Sequence, residues 1–412
     1  MTFDVLDGVL DAARGQLDGA VVMRRRIHQN PELGLELPET QATILEALDG
    51  LPVDVTPGSS TTSVVAVLQG EADGAEAGPT VLLRGDMDAL PMPEDTGLDY
   101  ASAVDGAMHA CGHDAHVAML TGAVRLLAER RSDLAGRVAF MFQPGEEGHH
   151  GARYMLDEGL LDQAAAGAAP VSMAFAIHQT PTIASGVIAT RSRALLASAD
   201  TLLVTVRGRG GHASMPHHAL DPIPIACEIV GALQSMVTRR VDAFDPAVVT
   251  VARIQAGTTS NVIPESAELY GTIRTVSEST RTAVLEDVRR LAEGIAAAHG
   301  AEAEVELDPG YPVTVNDPDA AGFVLDTATG LLGEKAAVRM PTPIMGAEDW
   351  SYVLQQVPGA MAFLGTAPDG GARHAAPNHS NRMVLDEAAM AVGIATYAGV
   401  ALRWLDAAGP PG

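Results

Sequence analysis

Cysteine is scarce in this chain: 412 residues contain two, Cys111 and Cys227. They lie far apart in sequence and context, which argues against a disulfide scaffold. Positive charge is also short. Lys and Arg number 26 against 52 Asp and Glu, giving a formal charge of −26. Binding phosphate needs cationic side chains in excess, so nucleic acid and anionic membrane surfaces are not expected partners. A small anionic substrate remains compatible, because the local field in a cleft can oppose the net charge. No apolar run reaches the length needed to span a bilayer. The N-terminal "MTFDVLDGVLDAARGQ" is acidic and amphipathic, without a basic region leading into an apolar one, and does not read as a signal peptide. Internal repeats and low-complexity tracts are missing too. These absences predict a soluble, cytoplasmic protein.

What is present is the composition of a globular protein: 47% hydrophobic, 19% charged, with 42 Gly and 25 Pro for turns. The length exceeds that at which single cores stop growing, so two domains are expected. Val5, Leu6, Val9, Leu10, Ala13 and Leu17 recur at helical spacing, and "LPETQATILEAL" predicts a second helix. Short apolar runs follow, each ending in polar residues. "TVLLRGDMDALP" runs into Asp86 and Asp88, "RVAFMFQPGEEG" into Glu146 and Glu147, and "MAFAIHQT" into His178. Such runs, alternating with helices such as "HVAMLTGAVRLLAER", predict an α/β sheet covered on both faces, with polar residues at the strand ends where open sheets bind ligands.

Near residue 200 the pattern changes. In "DTLLVTVRG" Leu202, Val204 and Val206 alternate with Leu203, Thr205 and Arg207. A helix capped by Asp221 follows, with Pro222 in its first turn and Ile225, Ile229, Leu233 and Met236 along one stripe. Two alternating strands, another helix and "AEAEVEL" complete the order β-α-β-β-α-β, which predicts an inserted ferredoxin-like module. The expected division is a catalytic domain over 1–198 and 309–412, interrupted by a lid domain over 199–308. Cys227, mid-helix among apolar neighbours, is expected in the lid core.

In "MHACGHDAH", Cys111 and His113 are two residues apart, so their side chains share a face in extended chain. A thiolate and an imidazole at that spacing make half of a transition-metal site. Glu146-Glu147, His178 and His379 of "APNHSNRM" could complete it. Each has an ordinary explanation alone, but that explanation must hold independently at four strand ends.

"RGDMDALP", "MHACGHDAH", "FQPGEEG", "AIH", "GRGGHASMPH", "SNVIPESAELYGTIRT" and "GAEDW", in this order, resemble signature segments of the M20 metallopeptidase superfamily. The resemblance runs from "RRRIHQNPELG" to Glu387 and is closest to the amidohydrolases of N-acyl-amino acids, such as hippurate and auxin-conjugate hydrolases. It implies two divalent metals held by Cys111, His113, Glu147, His178 and His379, with Cys111 bridging. It further implies that Glu146 stays off the metals as general base, taking a proton from activated water and passing it to the leaving amine. Cys111 then reads as a ligand, since a nucleophilic cysteine needs a free thiolate beside one base. The metal is expected to be Zn or Mn, with Co or Ni possible.

Asp86 is left outside the metal set, and Asp88 is expected to orient a ligating imidazole. Asp114 is expected to cap the following helix; His109 and His116 are expected to be structural. By the same resemblance His212 reaches the active site of a partner subunit, while Asn261 and Arg274 bind the substrate carboxylate. A homodimer through the lid follows, with a lid edge strand pairing with its twin. Arg24 to Arg26 are expected on a solvated helix face, His149 and His150 in a loop, His217 and His218 on the surface, and Met383 in the pocket wall. A dipeptidase or carboxypeptidase of the same superfamily, and a non-catalytic metal-binding homologue, are the alternative readings.

Overall fold

The apolar runs form the strands expected of them. In the computed structural model, which describes residues 4–369 and 371–408, the principal strands in chain order are β1 (Val53–Pro57), β2 (Val64–Gln69), β3 (Thr80–Asp86), β4 (Arg137–Gln143), β5 (Val171–Thr180), β6 (Ile188–Thr190), β7 (Asp200–Arg207), β8 (Ala247–Ala256), β9 (Ser266–Thr275), β10 (Glu302–Pro309), β11 (Ala337–Arg339) and β12 (Gly359–Gly365). The principal helices are α1 (Val9–Gln29), α2 (His113–Glu129), α3 (Pro222–Arg240), α4 (Glu278–Ala298), α5 (Pro318–Leu332) and α6 (Met390–Ala408). The chain divides into two compact units, Met1–Arg193 with Val315–Pro341 and Tyr352–Gly412, and Ala194–Thr314 with Thr342–Ser351.

The first unit is built on an eight-stranded mixed sheet of order β1-β2-β4-β3-β5-β12-β6-β11. At its centre β4, β3, β5 and β12 run parallel. Every residue of β3, β4 and β12 is buried, the burial that near-continuous apolar sequence requires. Phe140, Phe142 and Phe175 are fully buried; burial of each contributes about 1.5–3 kcal/mol. Helices α1, α2 and α6 pack on one another, and α2 and α6 both contact β3. Residues Glu387–Ala407 are, by length and composition, long and apolar enough to cross a membrane, against the expectation that no run was. Most of that stretch is buried, packed by α1, α2 and α5, and it is a core helix of this fold.

The second unit is the expected βαββαβ module. Its four strands are antiparallel in the order β8-β9-β7-β10, the ferredoxin-like arrangement. Leu202, Val204 and Val206 bury one face against Ile225, Ile229 and Leu233 of α3 and Val284 and Val288 of α4. Glu302, Glu304 and Glu306 of β10 are exposed. Asp221 caps α3 by accepting from the Ile223 amide at 3.0 Å. Cys227 is a free, exposed thiol, not a core residue. It stands two positions, about 200°, beyond Ile225 on the α3 wheel, away from the buried stripe.

Candidate metal centre

The four parallel strands point their C-terminal ends to one edge of the sheet, and the polar residues that end them meet there. β3 leads into Asp86 and Asp88, β4 into Glu146 and Glu147, and β5 carries His178 in its last turn of pleat. The N-terminus of α2 arrives at the same edge with His113 as its first residue. Gly112 precedes it at φ +81°, a left-handed conformation that glycine adopts without a Cβ clash.

Donor atoms of Cys111, His113 and His178 lie within 4.8 Å of one another, and so do those of Cys111, Glu147 and His379. Cys111 belongs to both groups. A third set joins His113 to Glu146 and Glu147. The Cys111 Sγ stands 3.3 Å from His178 Nε2, while His178 Nδ1 donates to the Gln179 carbonyl at 2.6 Å, so the ring presents its unprotonated Nε2 to the sulfur. Burial holds the His178 pKa well below the usual range, favouring the neutral imidazole a metal needs. His379 Nε2 lies 3.1 Å from Glu147 Oε1. Hydrogen bonds to Cys111 and Glu147 raise His379 to about 10. Burial pushes the Cys111 thiol up, and at His113 burial opposes charge but Asp86 and Cys111 outweigh it, raising that pKa well above normal.

The donor set fits a pair of divalent cations. His113 is fully buried, yet neither of its ring nitrogens has a hydrogen bond among the described residues; the closest carboxylate oxygens, on Asp86 and Asp88, stand 3.5 Å away. A buried imidazole left this way costs about 1–3 kcal/mol of desolvation unless another partner occupies it. Thiolate, imidazole and carboxylate together suit Zn²⁺ and its first-row neighbours.

Around the donors, carboxylates act as braces. Asp88 accepts the Glu146 and Glu147 amides at 2.9 and 3.0 Å, so it fixes the Glu-Glu turn, and its Oδ1 lies 3.5 Å from His113 Nδ1. Asp86 is held by Arg84 at 2.7 Å and by His116 Nδ1. Burial works against its charge, but Arg84, His113 and His116 keep it well below the usual carboxylate range. His116 Nε2 accepts the Gln179 amide at 2.8 Å, a structural role. His109 is buried without a hydrogen bond among the described residues, and burial pulls it down to about 3.

Three expectations near the site are corrected. Asp114 does not cap α2: Gly112 occupies that position, and Asp114 is fully buried inside the first turn, accepting from Arg24 Nε at 3.0 Å and His28 Nδ1 at 2.8 Å. Its negative charge still complements the positive helix end. Arg24 is correspondingly not solvated; it is 1% exposed and also reaches Glu387 at 2.7 Å and the Tyr100 hydroxyl. Arg25 and Arg26 are exposed, as expected. Met383 is buried within the hydrophobic core, not in a pocket wall. His150 begins a short helix at φ 57° and meets the Tyr352 hydroxyl at 2.8 Å, while the His149 ring packs over Gly34.

The substrate residues expected in the lid are all in the second unit. His212 is exposed and pairs with Val262 in a two-residue ladder, its Nδ1 accepting from the Ser214 amide. Asn261 accepts the Ala213 amide through its carbonyl at 3.1 Å, so these two residues share one end of the module. Arg274 does not join them. It sits eight residues beyond Ser266 along β9, about 27 Å at ~3.4 Å per residue, half-buried beside Thr272. Asn261 and Arg274 of one chain are too far apart to grip the same carboxylate. His217 and His218 are exposed.

Two residues escaped the sequence reading. Gln179 and Asn378 each adjoin an expected ligand, and that adjacency in "AIHQT" and "APNHS" was the only signal available.

A model of the peptidase family M20/M25/M40 matches residues 82–403. The chain is 38% identical to N-acetylcysteine deacetylase of Bacillus subtilis over 93% of this chain and 96% of that one. It is 36% identical to thermostable carboxypeptidase 1 of Saccharolobus solfataricus over 97% and 99%. Among solved structures, the Bacillus subtilis YXEP protein, described as a dinuclear metal-binding peptidase from the M20 family, superposes with a TM-score of 0.81 at 35% identity, covering 95% of this chain and 99% of that one.

Proposed function

The chain belongs to peptidase family M20/M25/M40, and from that premise we propose that it is a metal-dependent amidohydrolase releasing a free amino acid from its N-acyl derivative. The observation that carries this reading is the double membership of Cys111, which shares one donor group with His113 and His178 and another with Glu147 and His379, beside a glutamate turn held by Asp88. Those five residues would hold two divalent cations, Zn or Mn by donor type, with Co or Ni as substitutes. When bound, such cations polarise an amide carbonyl and bring the pKa of a water near 7.

Everything else falls to the protein's own groups. Glu146 is buried, its backbone pinned by Asp88, and its Oε2 is 4.0 Å from His113 Nε2. That places a carboxylate at the donor cluster where it accepts a proton from water and returns it to the departing amine nitrogen. Glu147, engaged with His379, is the poorer base. The lid supplies substrate contacts: His212 stabilises the oxyanion, and Asn261 and Arg274 bind the α-carboxylate. Because the latter two lie at opposite ends of one module, the reading requires residues from two copies. A homodimer through the lid is consistent with this: β8 is an edge strand with Val248 and Ile254 exposed, preceded by Phe244 at 98% exposure. Unpaired strand edges of this kind favour pairing with a twin.

The similarity to a carboxypeptidase favours a second reading, release of a C-terminal residue from a peptide. Both reactions cleave an amide whose leaving group is an amino acid with a free carboxylate. Purified protein loaded with Zn²⁺ or Mn²⁺ is tested on a panel of N-acetyl- and N-benzoyl-amino acids beside dipeptides. Release of amino acid from the acyl series, abolished by chelation, is expected. Preference for dipeptides supports the second reading, and turnover that survives complete metal removal contradicts both.

A further inference from the structure

Gln179 is buried, and all of its polar groups are engaged, most of them by segments that carry or adjoin a candidate ligand. Its amide nitrogen donates to the Cys111 carbonyl at 2.8 Å and to Asn378 Oδ1 at 3.2 Å. Its side-chain oxygen accepts from Thr366 at 2.7 Å. The backbone N–H goes to His116 Nε2, and the carbonyl accepts from His178 Nδ1 and from Asn378 Nδ2 at 3.2 Å. Asn378 in turn lies with Nδ2 3.9 Å from Cys111 Sγ, within hydrogen-bond range for sulfur. Packing adds a steric clause: a Cβ on Gly112 would lie 2.3 Å from Gln179 Nε2, so only glycine lets the Cys-x-His loop close onto this amide.

We propose that Gln179, acting with Asn378, is the positioning residue of the thiolate side of the centre. It aims the Cys111 sulfur, fixes the His178 tautomer and sets the approach of the His379 loop. Asn378 also sets its Nδ2 against the sulfur, which limits the directions in which the sulfur can point. Two braces then divide the site. Asp88 holds the glutamate turn, and Gln179 holds Cys111, His178 and the segment ending in His379. The backbone at His379 supports this division. Its φ of 66° costs a non-glycine residue on the order of 1 kcal/mol. The loop is retained by the His379 amide donating to the Ala110 carbonyl at 2.9 Å and by the Asn378 contacts. Strain maintained by surrounding bonds is characteristic of functional loops.

The inference rests on the metal-centre reading, and the test separates the two. The full chain is loaded with Co²⁺, and the sulfur-to-cobalt charge-transfer absorption and the Co²⁺ affinity are measured for wild type, Asn378→Ala and Gln179→Leu, with melting of each metal-free protein as control. Wild type is expected to show the band. Asn378→Ala is expected to shift it and weaken affinity about 10- to 100-fold with metal-free melting unchanged, and Gln179→Leu to act in the same direction more strongly. A wild-type band that is unmoved in Asn378→Ala, with affinity within twofold, overturns the positioning role even if Gln179→Leu melts early, since Gln179 would then serve the fold alone. A wild type with no band overturns the metal centre itself, and the inference with it.

Discussion

The two units solve opposite problems with their sheets. In the first, the central strands are buried on both faces, so their side chains serve packing and chemistry is displaced to the strand ends, where four parallel termini and one helix N-terminus converge. In the second, the sheet buries one face and leaves the other wet, and its notable residues, exposed His212 and Asn261 and half-buried Arg274, stand at the two ends of the module. A convergent edge can assemble a complete donor set from one chain. An exposed, one-faced module cannot enclose a ligand alone, and on the proposed reading its separated Asn261 and Arg274 belong to two different sites.

The largest expected effect sharpens the first half of that contrast. Glu146→Gln should retain bound metal by elemental analysis while losing about 10²- to 10⁴-fold in kcat; near-normal turnover would assign the base elsewhere. His212→Ala should cost about 10²- to 10³-fold, the size expected for one oxyanion donor. Mixing His212→Ala with Glu146→Gln subunits should restore activity, because the hybrid dimer contains one intact composite site. No recovery after confirmed subunit exchange would break the proposed sharing between copies.

Stability follows at the next scale. Asp114→Ala removes the buried carboxylate that Arg24 and His28 share and should cost about 3–5 kcal/mol in denaturant melts, whereas Arg26→Ala, on the exposed face of the same helix, should change stability by under about 0.5 kcal/mol. The same pair predicts a pH effect. At His28 burial opposes the charge, but Asp114 and Glu94 raise its pKa to about 9, above the ~6.5 of an unfolded histidine. Its contribution is therefore complete below about pH 6.5 and is lost as pH rises through about 9. The stability gap between wild type and His28→Gln should narrow over that window, and a gap independent of pH would show His28 to be neutral in the fold. Smallest of all, Cys227→Ser should leave both melting and activity unchanged, the lid thiol being exposed.

Local pattern made much of this legible. Apolar runs ending in Asp86-Asp88, Glu146-Glu147 and His178 announced both the buried strands and the edge where their polar ends meet, and alternation in "DTLLVTVRG" announced the one-faced lid. What escaped depends on partners distant in sequence. Arg24 and Asp114 are 90 positions apart, and nothing near either shows that they meet in the core; an arginine triplet reads as solvated until its partner is placed. Gln179 and Asn378 are likewise separated by 199 positions and carry no charge pattern. Cys227 is a different case, because the phase of the α3 stripe already placed it opposite Ile225, and apolar neighbours obscured that.

The central claim is that Cys111 would serve both of the cations the centre would hold. Anomalous scattering from crystals of the Zn²⁺-loaded protein tests it directly. Two peaks at the sheet edge, both within bonding distance of Cys111 Sγ, one beside His113 and His178 and the other beside Glu147 and His379, are predicted. A single peak, or peaks away from Cys111, would contradict it.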